Sequence, residues 1–229
     1  MVAAGQGLRM GFQEEKALMP LLGHPMLAWA LWAFDSFDTI VERVVAVPPG
    51  REDVFRERVL EPLNMLDRVI VVPGGKERQD SVALAMDALS DRPHWIMVHD
   101  AARPLVTPDL VKRVLDALEE GQSVVPALPM RDSVARLGYD RWIKAYEDRE
   151  QLITVQTPQA FHRPVLEYAH QQAKAHHTVS TDEASLALQV NHPVAWIDGE
   201  ADNLKITFPA DRWMAESILR GRGYREETS

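Results

Sequence analysis

Cysteine is absent from the 229-residue chain. That excludes a disulfide framework, thiolate metal sites and a cysteine nucleophile, and it fits a reducing compartment. No basic segment leads into an apolar run at the amino terminus, so no signal peptide is expected. Long uncharged runs are scarce. The exception is Ala17 to Phe34, 18 residues without Asp, Glu, Lys or Arg. Its length is near the lower limit for a membrane span. Pro20, Gly23, His24 and Pro25 interrupt it, however, and it reads as a buried strand followed by a buried helix. No membrane partner is expected, and the expected location is cytoplasmic. Basic residues are in the minority: 25 Lys+Arg against 34 Asp+Glu give a net charge of −9. Such a chain repels a phosphate backbone, which argues against nucleic acid as a partner. Any phosphate site must therefore be a local basic cluster in a negative field.

What is present is ordinary for a globular protein: 46% hydrophobic and 26% charged residues, which excludes extensive disorder. No internal repeat and no Gly/Ser-rich linker interrupts the chain, and one domain over 1–229 is expected. Short β-branched runs alternate with amphipathic segments. Strands are expected at Arg43–Val47, Arg68–Val72, Trp95–Val98 and Ser123–Ala127, with further strands near Val194–Ile197 and Leu204–Thr207. Helices are expected at Pro25–Phe37, Glu52–Leu60, Glu77–Leu89, Pro108–Glu119, Arg163–Ala175, Thr181–Val190 and Pro209–Gly221. Thr107 followed by Pro108 is a clear helix start. The alternation predicts an α/β fold with a mostly parallel sheet flanked by helices. Residues 129–151 depart from it. They are polar, with alternating pieces, and predict a hairpin arm standing off the body.

Four segments carry residues suited to chemistry. Ala3-Ala4-Gly5-Gln6-Gly7-Leu8-Arg9-Met10-Gly11 places a Gly-rich turn after a first strand, where backbone N–H groups can approach phosphate. Its G-x-G-x-x-x-G spacing is one residue longer than the dinucleotide fingerprint and holds Arg9, with Lys16 beyond. Two cations about a Gly loop suit a triphosphate, although a simple turn has the same pattern. Gly74-Gly75-Lys76-Glu77-Arg78-Gln79-Asp80-Ser81 follows a strand, at the sheet edge where open α/β folds bind ligands. His99-Asp100-Ala101-Ala102-Arg103-Pro104 follows another. Asp100 there can hold Mg²⁺ or a substrate hydroxyl and Arg103 can face a phosphate, or the two can form a structural pair. Thr181-Asp182-Glu183-Ala184-Ser185 reads most simply as a helix start, with Thr181 as cap and two acids at the positive dipole end. Lys205, Arg149 and Thr157 could each reach an anion.

Together these segments resemble the 2-C-methyl-D-erythritol 4-phosphate cytidylyltransferase family. The resemblance rests on Ala3–Met10 (AAGQGLRM), Gly74–Val82 (GGKERQDSV), Val98–Pro104 (VHDAARP), Thr157–Phe161 (TPQAF), Thr181–Ser185 (TDEAS) and Ala201–Thr207 (ADNLKIT), in the family's order and across nearly the whole chain. It implies a Rossmann-like nucleotidyltransferase fold with an arm joining two subunits, and hence a homodimer. It implies a reaction that joins CTP to the polyol phosphate, with release of pyrophosphate, and Mg²⁺ or another divalent cation as cofactor. By the same resemblance Arg9 and Lys16 are the catalytic cations. Ala3, Ala4, Gly5, Gly7, Gly75, Lys76, Ser81 and Ala101 take the nucleotide. Asp100, Arg103, Thr157, Thr181, Asp202 and Lys205 surround the polyol phosphate. Ser133 and Arg149 serve a partner's site from the arm. Asp100 is the candidate metal ligand.

The chain also departs from the family pattern. Glu15-Lys16-Ala17 stands where Pro-Lys-Gln is usual and sets a negative charge beside Lys16. Only Met1 and Val2 precede Ala3, so a short first strand is expected. Two rivals remain at this stage: a cytidylyltransferase for ribitol 5-phosphate or another polyol phosphate, and a catalytically weak nucleotide-binding homologue. A nicotinamide dehydrogenase is disfavoured by the Gly spacing and by Arg9.

Overall fold

The structure, a computed structural model, describes residues 1–5 and 15–226. Its elements run β1 (Pro20–Leu21), β2 (His24–Pro25), α1 (Met26–Asp35), β3 (Val44–Val47), α2 (Glu52–Phe55), β4 (Ile70–Pro73), α3 (Arg78–Asp87), β5 (Trp95–Val98) and α4 (Pro108–Glu119). Then follow β6 (Val124–Pro129), β7 (Ala135–Leu137), β8 (Ile143–Tyr146), β9 (Ile153–Val155), β10 (Gln159–His162), α5 (Arg163–Ala175), α6 (Glu183–Gln189), β11 (Ala195–Asp198) and α7 (Pro209–Gly221). No helix among the described residues is long and apolar enough to cross a membrane.

The uncharged run of the sequence is a two-residue hairpin and a helix. β1 and β2 pair antiparallel around Leu22 and Gly23, both at positive φ (47° and 90°). α1 then buries Met26, Leu27, Ala28, Trp29, Ala30, Leu31, Ala33 and Phe34. A helix apolar on nearly every face has no solvent side to present and must lie inside the fold. Each large side chain buried this way contributes about 1.5–3 kcal/mol. Trp29 Nε1 donates to the Leu21 carbonyl at 2.9 Å, which keeps its one polar atom satisfied.

The sheet is mixed, not mostly parallel. β3 and β4 pair in parallel, and so do β6 and β11. β10 runs antiparallel to both β5 and β6, and β9 antiparallel to β6. The first strand is as short as expected. Val2 alone bridges β3 at Ala46 and the end of β5 at Asp100, both in parallel. Its N–H donates to the His99 carbonyl at 2.9 Å, and its carbonyl accepts from the Ala101 N–H at 3.0 Å. Through residues 1–3 the β3–β4 pair joins the β5–β10–β6–β11 sheet, with Met1 and Ala3 bonded to β3 and Val2 bonded to His99 and Ala101. Leu204–Thr207, expected as a strand, is not one. Its Ile206 N–H makes a single backbone bond to the Ala102 carbonyl at 2.8 Å, and Ile206 is buried against α1 and α7 neighbours. α4 begins as expected, with the Thr107 hydroxyl accepting from the Leu110 N–H at 3.1 Å.

β7 and β8 form a separate antiparallel hairpin within the expected arm. Its large side chains are open to solvent, with Tyr139 94% and Trp142 76% exposed.

His170 on α5 is buried, and its Nε2 has no hydrogen-bond partner among the described residues. Burial, then the positive charge of Arg78, pushes its pKa from an ordinary 6.5 to about 4. The folded protein therefore keeps this ring neutral where the unfolded chain takes up a proton. Its contribution to stability is complete above about 6.5 and is lost as pH falls toward about 4. Thermal melts should fall across this window in the parent and fall less steeply in His170→Gln. Parallel slopes would remove His170 as a source of acid sensitivity.

Candidate active site

A cleft of about 810 Å³ opens at the carboxyl ends of the central strands. One wall is the Gly74–Gly75 turn that follows β4. The turn is held from below by Ser81 on α3, whose hydroxyl accepts from the Gly75 N–H (3.1 Å) and donates to the Glu77 carbonyl (3.1 Å). The Glu77 N–H donates to the Asp80 carboxylate at 3.1 Å, closing the first turn of α3. Packing at this turn leaves no space for a side chain. A Cβ on Gly74 would lie 2.4 Å from the Ala4 Cβ, and one on Gly75 would lie 2.2 Å from the Asp80 Cβ. Glycine is required here by close approach and not by a left-handed backbone. Ala3, Ala4, Gly5, Lys76 and Ala101 line the same space.

Lys16 enters from the opposite side. It opens a 3-10 turn over Lys16–Leu18, in which the Leu18 N–H donates to the Glu15 carbonyl (2.9 Å) and the Met19 N–H to the Lys16 carbonyl (3.1 Å). Ala17 and Leu18 are buried in the core, so the turn fixes where the lysine stem starts. The acid beside it in sequence, Glu15, has a partner of its own. Glu15 forms a two-point ion pair with Arg51, one contact being Nη2 to Oε2 at 3.2 Å. Burial raises the Glu15 carboxyl, but the Arg51 bonds outweigh that and hold it below its usual range.

The third wall is an alternating chain of charge. Asp100, only 6% exposed, accepts from Arg78 Nε (2.9 Å) on one oxygen and from Lys205 Nζ (2.6 Å) on the other. Burial would raise its pKa, but Arg78 and Lys205 overcome that and hold it well below the carboxylate range. Arg78 turns its remaining edge to Glu183, giving Nη1–Oε1 at 2.8 Å and Nη2–Oε2 at 2.9 Å. Burial lowers the Arg78 pKa, while Glu183 and Asp100 raise it further, so this guanidinium stays charged. The Asp100 backbone is fixed as well. Its N–H donates to the Thr157 hydroxyl at 3.1 Å, and that hydroxyl lies 2.9 Å from His99 Nδ1. Burial pushes His99 down to about 3, so the ring is neutral. With Nε2–H facing the Arg103 carbonyl (3.1 Å), Nδ1 is left to accept from Thr157.

The expected site residues therefore divide. Lys16, Ala3, Ala4, Gly5, Gly75, Lys76, Ser81, Asp100, Ala101 and Lys205 share the cleft. Gly7 and Arg9 lie outside the described residues. Arg103 is not among the cleft-lining residues. Its guanidinium donates to the Asn203 carbonyl (2.7 Å) and the Val155 carbonyl (3.3 Å), and burial lowers its pKa. Thr157 is buried behind Asp100 and holds that residue's backbone. Asp202 pairs with Arg222 at 3.7 Å on the surface. Thr181 is exposed and does not line the cleft, and the cap of α6 is Asp182, which accepts from the Ser185 N–H at 3.0 Å. Ser133 and Arg149 stand on the arm, where Arg149 Nη1 donates to the Arg131 carbonyl at 3.2 Å. Glu183, read from the sequence as a dipole-compensating acid, is 1% exposed and anchors Arg78.

Asp100 does not fit the role of metal ligand. Both of its oxygens already face cations, and among the described residues no three His, Asp or Glu side chains gather as a cation site.

A family model described as IspD, 2-C-methyl-D-erythritol 4-phosphate cytidylyltransferase, matches residues 1–221. A curated relative of that name from Pelotomaculum thermopropionicum is 36% identical over 222 residues, covering 97% of this chain and 93% of its own. Another from Symbiobacterium thermophilum is 40% identical over 218 residues, covering 95% and 90%. The crystal structure of 2-C-methyl-D-erythritol 4-phosphate cytidylyltransferase from Thermus thermophilus is similar with a TM-score of 0.79 at 34% identity, over 96% of this chain and 97% of that one. That of 4-diphosphocytidyl-2C-methyl-D-erythritolsynthase from Anaerococcus prevotii gives a TM-score of 0.82 at 25% identity, over 96% and 93%.

Proposed function

Because the chain belongs to the 2-C-methyl-D-erythritol 4-phosphate cytidylyltransferase family, we propose that its cleft divides the work of that reaction between two walls. The enzyme transfers CMP from CTP to 2-C-methyl-D-erythritol 4-phosphate and releases pyrophosphate, a step of isoprenoid precursor synthesis. The Gly74–Gly75 wall, with Ala3 to Gly5 and Lys76, receives the nucleotide. The Gly74 and Gly75 N–H groups are taken by the Val47 carbonyl (2.7 Å) and the Ser81 hydroxyl (3.1 Å), so the close-packed turn meets the edge of a flat base through its carbonyls and the backbone that follows. Lys16 meets the triphosphate from the other side. The Asp100–Lys205 wall receives the polyol phosphate, and the fold is of the Rossmann-like nucleotidyltransferase kind.

The single observation that carries this reading is the Lys205–Asp100 pair at the cleft edge (2.6 Å). Asp100 holds an ammonium in place until a phosphate arrives. The Lys205 side chain is 44% exposed, so it can turn to that phosphate without unpacking. A phosphate oxygen of the polyol then attacks the α-phosphorus of CTP in line. The new P–O bond forms as the bond to pyrophosphate breaks, and pyrophosphate carries away the electron pair. No side chain forms a covalent bond, and the protein's part is positioning and charge stabilisation. Lys16 stabilises the charge that grows about the α-phosphate, in company with Arg9 as the resemblance implies. Divalent-cation dependence is proposed to come from an ion held by the phosphates, as suits Mg²⁺ with few protein ligands.

The arm extends the proposal to a homodimer. Tyr139, Trp142, Ile143 and Tyr146 make an exposed apolar surface on a hairpin that the described residues of its own chain leave uncovered. Ser133 and Arg149 would reach a second copy's cleft from there.

Lys205→Ala tests the assignment of the walls. The KM for 2-C-methyl-D-erythritol 4-phosphate should rise at least ~10-fold, the scale of one charge-assisted hydrogen bond, while the KM for CTP stays within about twofold. Equal changes in both constants would rule out the division. Ribitol 5-phosphate assayed beside the natural polyol reports whether the same wall discriminates between them.

A further inference from the structure

Glu183 does not itself line the cleft, yet it is the most deeply buried carboxylate of the charge chain. Burying a carboxylate is costly, and a buried ion pair adds little stability over an apolar pair of the same shape. A buried carboxylate kept at such a cost calls for a reason other than stability. The geometry points to Glu183 as a positioning residue for the polyol-phosphate wall, acting through Arg78. This inference rests on the reading of Asp100 and Lys205 given above.

The argument is one of forks and edges. A free arginine facing one carboxylate offers it two parallel N–H groups. Here Glu183 holds Nη1 and Nη2, so Arg78 turns its Nε edge to Asp100 and meets only Oδ1, with Nε and the shared Nη2 each at 2.9 Å. Asp100 Oδ2 is thereby left to Lys205. Without the Glu183 charge, Arg78 is free to rotate and claim both Asp100 oxygens, displacing Lys205 from the place where it awaits phosphate. Glu183 is itself fixed from two directions. Asp182 caps α6, and its Oδ2 accepts from Gln159 Nε2 (2.9 Å), while Gln159 Oε1 accepts from the Ala184 N–H (3.1 Å). Gln159 lies two residues from Thr157, which holds the Asp100 backbone. One stretch of chain, 157–159, thus sets both the acid that orients Arg78 and the acid that Arg78 orients.

The test is steady-state kinetics of Glu183→Gln, which keeps the shape but removes the charge and one of the two acceptors that hold Arg78. Lys205→Ala is assayed beside it. The expected result is a rise of about tenfold in the KM for the polyol phosphate, with the KM for CTP within about twofold, in protein that melts lower than the parent but above assay temperature. Arg78→Lys, which keeps the charge but not the fork, should show the same split. Loss of folding would lower the active fraction and leave both KM values alone. If Glu183→Gln melts below assay temperature, Glu183→Asp, which keeps the charge but is too short to hold both Nη1 and Nη2, tests the same orientation of Arg78 and should show the same KM split. Equal changes for both substrates, or none, in the folded variant overturn the positioning role while leaving the walls as assigned. An unchanged polyol KM in Lys205→Ala overturns the wall assignment, and the role of Glu183 falls with it.

Discussion

Lys16→Ala should lower turnover by about 10²–10³-fold while leaving the fold intact, the loss expected when one preorganised transition-state donor is removed. The residue lines the cleft at the start of a 3-10 turn whose next two residues are locked in the core. Its stem is therefore delivered by packing that the substitution does not disturb. The carboxylate of Glu15, next to it in sequence, is ion-paired with Arg51. Pyrophosphate release at saturating substrates reads kcat directly. Calorimetric binding of CTP should weaken far less than kcat falls, since ground-state phosphate contact is shared with other groups. Lys16→Arg keeps the charge in a broader, planar head and should recover only part of the loss. An unchanged kcat in Lys16→Ala would remove this residue from the chemistry.

A larger structural effect is expected at the opposite wall. In Gly75→Ala the new methyl would start 2.2 Å from the Asp80 Cβ, with the Asp80 backbone at 3.2 and 3.3 Å. Backbone cannot yield as a flexible side chain does, so the turn or the first turn of α3 must move. Overpacking of this kind costs about 1–3 kcal/mol. For a chain of this size that lowers the melting temperature by about 2–4 °C per kcal/mol. The same shift breaks the Gly75 N–H to Ser81 contact (3.1 Å), and the KM for CTP should rise with it. Gly221→Ala is the matched control. Nothing lies within 4 Å of its added carbon, and it closes a helix, so its melt should hold or rise slightly. If Gly75→Ala melts like the control, close packing is not why glycine stands there.

The parts of the site legible in the sequence are those at strand ends. Gly74–Gly75 follows β4 and Asp100 follows β5, and each lines the cleft as a residue past a buried apolar run is expected to. What local pattern could not show is who pairs with whom. Glu183 at a helix start has a sufficient local explanation, and its partner Arg78 lies 105 positions away. Arg103 has the chemistry of a phosphate ligand, but its guanidinium is used on two carbonyls that the fold brings to it. A tie to a buried acid is the signal that separates Arg78 from Arg103, and it exists only in three dimensions. The sheet departs from the expected parallel order for a related reason. β10 is four residues of mixed character, Gln159–His162, and its antiparallel direction follows from where the arm returns the chain, which periodicity does not encode. Leu204–Thr207 looks like a strand because Leu204 and Ile206 alternate with polar residues. That alternation instead sends Ile206 into the core and Lys205 to Asp100.

The narrow stitch at residues 1–3 bears on how the two proposed walls are held together. The wall proposed for the nucleotide lies on the β3–β4 side of that stitch and the wall proposed for the polyol phosphate on the β5 side. Within the sheet, among the described residues, only the bonds made by the chain around Val2 tie the two plates together. On the proposed assignment a bound pair of substrates would span both and act as a clasp across the seam, so the protein should be stiffest when both substrates are bound.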